Sequence, residues 1–248
     1  MLGLGTWLAA RGPLATGGIA LAILGALGSV VAAVAAARGG GGAAARLPTV
    51  ESSAIAWVAG TVLAFGATRR ALRRDREQGV LALVRARGAS LASYVRARVG
   101  GVVLVLAVVV GGATLVGALA AVSVAHPVLP AVRASAGALV YAVAFAATLG
   151  PVAMATLGAR GRGGGYLTLL AVLVLPELLA PWTSSLLPRG WVELTSVPAA
   201  LAAVRAGVMS PIERGAPLAR AVAGLIAVVA VSLVVVGARA QQRDGDEP

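Results

Sequence analysis

The chain has 248 residues, of which 59% are hydrophobic and 12% are charged, and its mean hydropathy is +0.92. This composition leaves too little polar surface to coat a soluble globule of that length, which excludes an ordinary soluble domain. The chain has no cysteine, which excludes disulfides and thiolate metal sites, and all its basic residues are arginine, which excludes the lysine-dependent phosphate-binding loop GxxxxGK[ST]. The arginines behind the net charge of +12 lie between apolar runs, which is typical of membrane topology, so we expect no nucleic-acid partner.

Long uncharged runs determine the fold class. A helix needs about 20 mostly apolar residues to cross about 30 Å of hydrocarbon, and several runs in this chain meet that length. We therefore predict an all-α, polytopic integral membrane protein with six transmembrane helices in a single domain, residues 1–248. The predicted spans are approximately 17–37, 50–68, 99–125, 134–159, 166–187 and 218–238.

The connections between these spans differ in character. The segment 38–49 contains four consecutive glycines and is predicted to be a flexible connector. The segment 69–98 carries nine of the 21 arginines. It also carries leucines at helical spacing, which predicts an amphipathic helix of roughly 15 residues, over 71–87, near the membrane surface. Gly88 is placed to end that helix and Ser90 to cap the next one. The segment 188–217 alternates apolar and charged residues, which favours short interfacial helices over another crossing.

Prolines interrupt two of the predicted spans. Gly150 and Pro151 lie inside the fourth span and are expected to kink it. Pro176 and Pro181 lie inside the fifth span, which is therefore not expected to be a straight, regular helix.

The distribution of arginine predicts the orientation in the membrane. Six spans place both termini on one side, together with the segments 69–98 and 160–165. That side holds about twice as many arginines as the other, almost wholly because of 69–98. Both termini are therefore expected in the cytosol, in a multi-pass protein of the plasma or inner membrane.

No enzyme site is predicted. The chain has one histidine, His126, beside a proline, and no two carboxylates share a span, so we expect no catalytic residue, no metal and no cofactor. Glu177 is a candidate for a translocation path, because a carboxylate inside a span is costly unless it faces a cavity or a partner. The alternative is that Pro176 and Pro181 interrupt the helix. Glu177 would then lie in a kink that water reaches, or would accept hydrogen bonds from backbone donors that the interruption frees.

The order of residues in the Arg-rich segment resembles a known family. The residues that carry the resemblance are Asp75, Glu77, Gly79, Leu81, Leu83, Gly88, Ser90, Tyr94 and Arg98, and together they resemble the loop between the second and third spans of type-2 ABC export permeases. In that family, an acidic residue two before a glycine opens a short coupling helix that docks on an ATPase subunit. The resemblance implies the same docking role for Asp75, Glu77, Gly79, Leu83, Gly88, Ser90 and Tyr94, most securely for Glu77 and Gly79.

The resemblance also implies partners. It implies a cytosolic ABC ATPase subunit, a second permease subunit that is identical or related, and the membrane lipid. Within the family, the runs AWVAGTVLAF (56–65), DREQG (75–79) and LVLPELLAP (173–181) look like the haem-exporter permease of cytochrome c maturation. The run LVRARGAS (83–90) is similar to the lipoprotein-release and cell-division permeases, which carry a large extracytoplasmic domain that no loop of this chain can hold.

A function of a different class stays open beside the transporter. Basic cytosolic loops are found throughout membrane proteins, and they often only fix topology or bind anionic lipid. On that interpretation the chain is a membrane scaffold or anchor, whose Arg-rich segment contacts lipid or a partner protein without using ATP.

Overall fold

The computed structural model describes residues 2–39, 42–69, 71–158, 164–183 and 191–242. The structure within these ranges is helical, and no strand occurs in them. In chain order the α-helices are α1 (Leu2–Ala10), α2 (Pro13–Arg38), α3 (Leu47–Ile55), α4 (Thr61–Thr68), α5 (Ala71–Glu77), α6 (Val80–Ala86), α7 (Leu91–Val124), α8 (Val128–Ala153), α9 (Gly164–Thr183), α10 (Trp191–Thr195), α11 (Val197–Met209) and α12 (Pro211–Gln242).

Within the part of the chain that the structure describes, six helical segments are long and apolar enough to cross a membrane. They are Pro13–Arg38, Gly42–Glu77, Leu91–Val124, Val128–Gly158, Gly164–Trp182 and Gly215–Gln241. The prediction of an all-helical chain with six such segments is confirmed. The chain therefore has the helices of a multi-pass membrane protein.

Helix α8 lies at the centre of the bundle. In the most apolar 18 residues of this span 72% are buried. In the corresponding stretch of α9 only 17% are buried, so α9 lies at the periphery. Helix α8 packs against α7, α3 and α11, and Phe145 in α8 meets the ring of Trp57 edge to face, with 5.2 Å between ring centroids. Many of its buried residues are alanine, and small side chains let neighbouring backbones approach closely.

Helix α7 is longer than the third predicted span. It begins at Leu91 and has 34 residues, which corresponds to about 50 Å and exceeds a hydrocarbon thickness of about 30 Å. Its first turns contain Arg96 and Arg98, whereas 99–124 is uncharged. The excess length is therefore at its start, where α7 includes the last eight residues of the Arg-rich segment 69–98.

One connection and one span differ from the sequence prediction. The segment 38–49 was predicted to be a flexible connector, but Gly42–Arg46 forms a 3-10 helix and α3 follows at once, with Pro48 in its first turn, where a missing N–H costs nothing. Helix α9 passes through Pro176 and Pro181 as one α-helix. Membrane helices tolerate proline because neighbouring groups satisfy the freed backbone carbonyls.

The helix type changes shortly after Pro151, and the predicted kink at Gly150 and Pro151 stays a prediction. Helix α8 continues through Pro151 to Ala153, and a π-helical turn follows at Met154–Gly158. In the last part of the chain, α10 and the 13-residue α11 are short, as predicted, and α11 packs against α8 and α12. Residues 160–163 of the predicted basic loop 160–165 and residues 184–187 of the predicted fifth span lie outside the described residues.

Candidate functional site

The Arg-rich segment folds as two short helices, not as the single 71–87 helix that was predicted. Helix α5 ends at Glu77 and α6 starts at Val80. Between them Gly79 has a φ of +69°, in the left-handed region that costs other L-residues roughly 1–2 kcal/mol. The glycine of the DREQG run therefore breaks the helix and sets the angle between α5 and α6.

The end of the segment agrees with the prediction. Gly88, with a φ of +72°, follows α6, and the N–H of Gly88 bonds to the carbonyl of Arg85 at 2.8 Å. The Ser90 side chain then accepts a hydrogen bond from the N–H of Ser93 at 3.2 Å and caps α7. The predicted stop at Gly88 and cap at Ser90 are both confirmed.

A buried ion pair joins α5 to the start of α7. The Nε of Arg98 donates to the Oδ2 of Asp75 at 3.0 Å, and the hydroxyl of Tyr94 donates to the same oxygen at 2.5 Å. Asp75 and Arg98 are fully buried, and Tyr94 is 2% exposed. Tyr94 and Arg98 are four residues apart, so they lie on one face of α7 and reach the same carboxylate.

Arg98 extends this network to two further helices. Its Nη1 donates to the carbonyl of Gly5 in α1 at 3.3 Å, and its Nη2 donates to the carbonyl of Ala67 in α4 at 3.5 Å. One guanidinium thus joins α1, α4, α5 and α7. We call Asp75, Tyr94 and Arg98, with the two carbonyls, the buried charge cluster.

The buried charge cluster is sensitive to the loss of any charged member. Removing one partner of a buried ion pair leaves the other charge without compensation and typically costs about 3–5 kcal/mol. The Oδ1 of Asp75 is also buried, and it has no hydrogen-bond partner among the described residues. The charge of the Asp75 carboxylate is therefore stabilised by Arg98 and Tyr94, which both donate hydrogen bonds to Oδ2.

Close backbone packing holds α1 against α7 beside this cluster. A Cβ added to Gly5 would lie 2.2 Å from the carbonyl oxygen of Ala97, and a Cβ added to Gly101 would lie 2.2 Å from the carbonyl carbon of Gly5. Both positions require glycine because backbone atoms occupy the space of a side chain. Helix α1 is therefore part of the structure around the Arg-rich segment.

The other predicted docking residues lie on the surface. Glu77, Gly79, Leu83, Gly88 and Ser90 are exposed, and Leu83 presents 55% of its surface. The carboxylate of Glu77 accepts a hydrogen bond from the Nε of Arg73 at 2.7 Å, in an ion pair whose side chains are both more than half exposed. Glu77 ends α5, Gly79 lies in the turn and Leu83 lies in α6, while Gly88 and Ser90 follow α6. We call these five exposed residues the α5–α6 face.

Two predicted docking residues are not on that face. Asp75 and Tyr94 are buried within this chain, so neither side chain can touch a partner in this structure. Direct docking by these two residues stays a prediction, and the structure places both side chains in the interior of the chain. The sequence alone could not show this, because their partner is Arg98, 23 residues from Asp75.

Glu177 is bonded to a neighbouring helix. Its carboxylate accepts a hydrogen bond from the hydroxyl of Ser196, which is buried and also caps α11 by accepting from the N–H of Ala199 at 3.1 Å. This contact joins the peripheral α9 to the start of α11. The partner is a side-chain hydroxyl and not a freed backbone donor, and a place for Glu177 on a translocation path stays a prediction.

A second polar cluster lies inside the bundle and was missed from the sequence. The Nη1 of Arg205 donates to the carbonyl of Thr49 at 2.7 Å and to the hydroxyl of Ser53 at 2.6 Å, and its guanidinium lies 5.0 Å from the centre of the Tyr141 ring. The Nε1 of Trp57 donates to the Tyr141 hydroxyl at 2.8 Å. The available signal was an arginine within the otherwise apolar run of α11, because charged residues in such runs usually have a specific partner.

No family model, curated protein or solved structure matches this chain. Similarity therefore does not assign it to a family. Among the described residues, no group of three or more metal-ligating side chains occurs.

Proposed function

We propose that the chain is the membrane-spanning permease subunit of an ABC transporter of the export type. The observation that supports this most is the construction of the Arg-rich segment, in which the exposed α5–α6 face is joined to the spans through the buried charge cluster. A coupling element requires both features. It needs a surface on which a partner can push and a stiff connection that carries the displacement inward, and packed protein interiors transmit strain well.

The proposed mechanism begins on the partner. ATP is bound and hydrolysed on a separate ATPase subunit, since this chain has no lysine for a GxxxxGK[ST] phosphate-binding loop. Movement of that subunit displaces α5 and α6. The Asp75–Arg98 ion pair passes the displacement to α7, and the bonds from Arg98 to Gly5 and Ala67 pass it to α1 and α4.

The proposal includes the assembly and its orientation. A second permease subunit, identical or related, completes the translocation path within the plasma or inner membrane. The α5–α6 face and both termini lie in the cytosol, as the concentration of arginine in 69–98 favours. Within the family, the haem-exporter-like permease is the alternative, on the resemblance of 56–65, 75–79 and 173–181.

Charge reversal at Glu77 tests this function. We expect Glu77→Arg to reduce co-purification with a co-expressed ABC ATPase from the same genome at least tenfold, because like charges placed opposite each other at an interface cost several kcal/mol. The first ATPase to test is one encoded beside this gene. The same preparations are assayed for ATP hydrolysis stimulated by the permease, which we expect to fall in parallel.

Arg38→Glu is the matched control, because it also reverses an exposed charge but lies at the end of α2, away from the α5–α6 face. Thermal unfolding of both variants should match that of the unmodified chain. Unchanged assembly and unchanged ATP hydrolysis with Glu77→Arg would contradict the docking role.

The scaffold or anchor is the second candidate function, and the basic surface of α5 favours it. Arg69, Arg73 and Arg74 surround a surface depression of about 280 Å³ together with Glu77. A surface of this kind suits anionic lipid headgroups. This function predicts that Glu77→Arg strengthens membrane binding by the segment and leaves the ATP hydrolysis of every co-expressed ATPase unchanged.

A further inference from the structure

A groove of about 450 Å³ lies between the start of α7 and the end of α12. Val95 and Val99 of α7 are buried along one side, while Leu233 and Val234 of α12 form the other side and are exposed. The two helices are antiparallel here, since early α7 residues face late α12 residues. The groove therefore runs along the helices from the Arg-rich end of the bundle towards its apolar middle.

Polar groups occur at one end of this groove. Arg96 and Gln241 line it where α7 begins and α12 ends, and both are exposed. The Nε of Arg96 donates weakly to the carbonyl of Ala92 at 3.4 Å, so the guanidinium has further donors to offer. The groove thus combines a cationic end with an apolar channel.

We propose that this groove is a specific binding site for one anionic phospholipid. An acyl chain lies between α7 and α12, and the phosphate is bound by Arg96 at the Arg-rich end. Charge complementarity selects this occupant over a zwitterionic lipid, because the groove opens next to the segment with nine of the 21 arginines. It also selects against a second copy of this chain, whose apolar helix would leave Arg96 without an anionic partner. The site is independent of the transport function proposed above.

Gly237 offers a way to close the groove. It lies in the lining, and a Cβ added there would meet no atom within 4 Å. A leucine at this position therefore fills the groove without disturbing the contact between the helices. Gly28 in α2 has equally open surroundings and lies outside the groove, which makes Gly28→Leu the matched control.

Native mass spectrometry of the purified full-length chain tests the site with phosphatidylglycerol and phosphatidylcholine supplied at equal concentration. We expect the unmodified chain to retain one phosphatidylglycerol in preference to phosphatidylcholine. Arg96→Gln should lower the affinity for phosphatidylglycerol about fivefold, the effect of about one basic residue near the membrane surface, and leave phosphatidylcholine unaffected. Gly237→Leu should abolish retention of both lipids at this site.

The controls separate the possible occupants. Arg87→Gln removes another exposed arginine of the same segment from outside the groove, and Gly28→Leu adds a leucine elsewhere, so both should behave like the unmodified chain. Equal loss of phosphatidylglycerol from Arg96→Gln and Arg87→Gln would overturn the site in favour of diffuse charge attraction. Loss of a dimer in Gly237→Leu, with lipid retention unchanged, would overturn it in favour of a second copy in the groove.

Discussion

Replacement of Arg98 by methionine is expected to lower the free energy of unfolding by about 3–5 kcal/mol, because it leaves the buried Asp75 carboxylate without a counter-charge. The same change removes the donors to the carbonyls of Gly5 and Ala67, so the loss extends to the contacts of α1 and α4. Denaturant unfolding of the purified chain in detergent micelles measures the effect. Asp75→Leu should be destabilised to a similar extent, since it leaves the guanidinium buried and unpaired.

The double variant Asp75→Leu with Arg98→Met makes this prediction specific. Removing both charges leaves no uncompensated charge in the interior, although the Tyr94 hydroxyl loses its acceptor, and replacements of whole ion pairs are often neutral or stabilising. The double variant should therefore recover most of the stability lost in either single variant. Arg73→Met is the exposed control, and loss of its surface ion pair with Glu77 should cost no more than about 1 kcal/mol. A double variant no more stable than the singles would show that packing, and not charge pairing, determines the cost.

Substitution of Gly5 by alanine is expected to displace α1 from α7. The added Cβ would lie 2.2 Å from the Ala97 carbonyl oxygen, a backbone atom that cannot move without shifting α7. Overpacking of this kind typically costs about 1–3 kcal/mol, and the shift also lengthens the hydrogen bond from Arg98 to the Gly5 carbonyl. Hydrogen exchange should become faster across α1 and at the start of α7, and the free energy of unfolding should fall by about 2–3 kcal/mol.

Gly3→Ala is the matched control on the same helix. A Cβ there would meet no atom within 4 Å, so the change should be neutral or slightly stabilising, since alanine is a better helix former than glycine. Equal exchange rates in the Gly5 and Gly3 variants would contradict the close packing of α1 on α7.

The apolar runs were sufficient to predict the fold class, because a helix that crosses hydrocarbon needs both length and the near absence of charge. The ends of the helices were harder to predict. The apolar run alone places the start of α7 near 99, whereas the predicted cap at Ser90 places it at Leu91, because helices continue beyond the apolar region wherever a cap and tertiary contacts support them. Ser90 supplies the cap, and Tyr94 and Arg98 supply the contacts.

The candidate site was only partly predictable from the sequence. Gly88 marked a backbone break that follows from local conformation alone, whereas the break at Gly79 was missed because one helix was predicted over 71–87. Both glycines have a positive φ. The burial of Asp75 could not be predicted in this way. Its neighbours in sequence are arginines, which favour an exposed position, whereas its actual partners are in α7, 19 and 23 residues away. The contacts of Arg205 with Thr49 and Ser53 join even more distant parts of the chain.

Site-specific crosslinking from the α5–α6 face tests the central claim most directly. The chain has no cysteine, so a single cysteine can carry a benzophenone probe without background labelling. Leu83→Cys places the probe on the α5–α6 face, and Leu119→Cys places it at a comparably exposed position near the end of α7. Illumination of membranes that contain the co-expressed ABC ATPase should crosslink the ATPase to the Leu83 probe and not to the Leu119 probe. An ATPase that co-purifies with the chain but is not crosslinked from Leu83 would contradict the proposed coupling role.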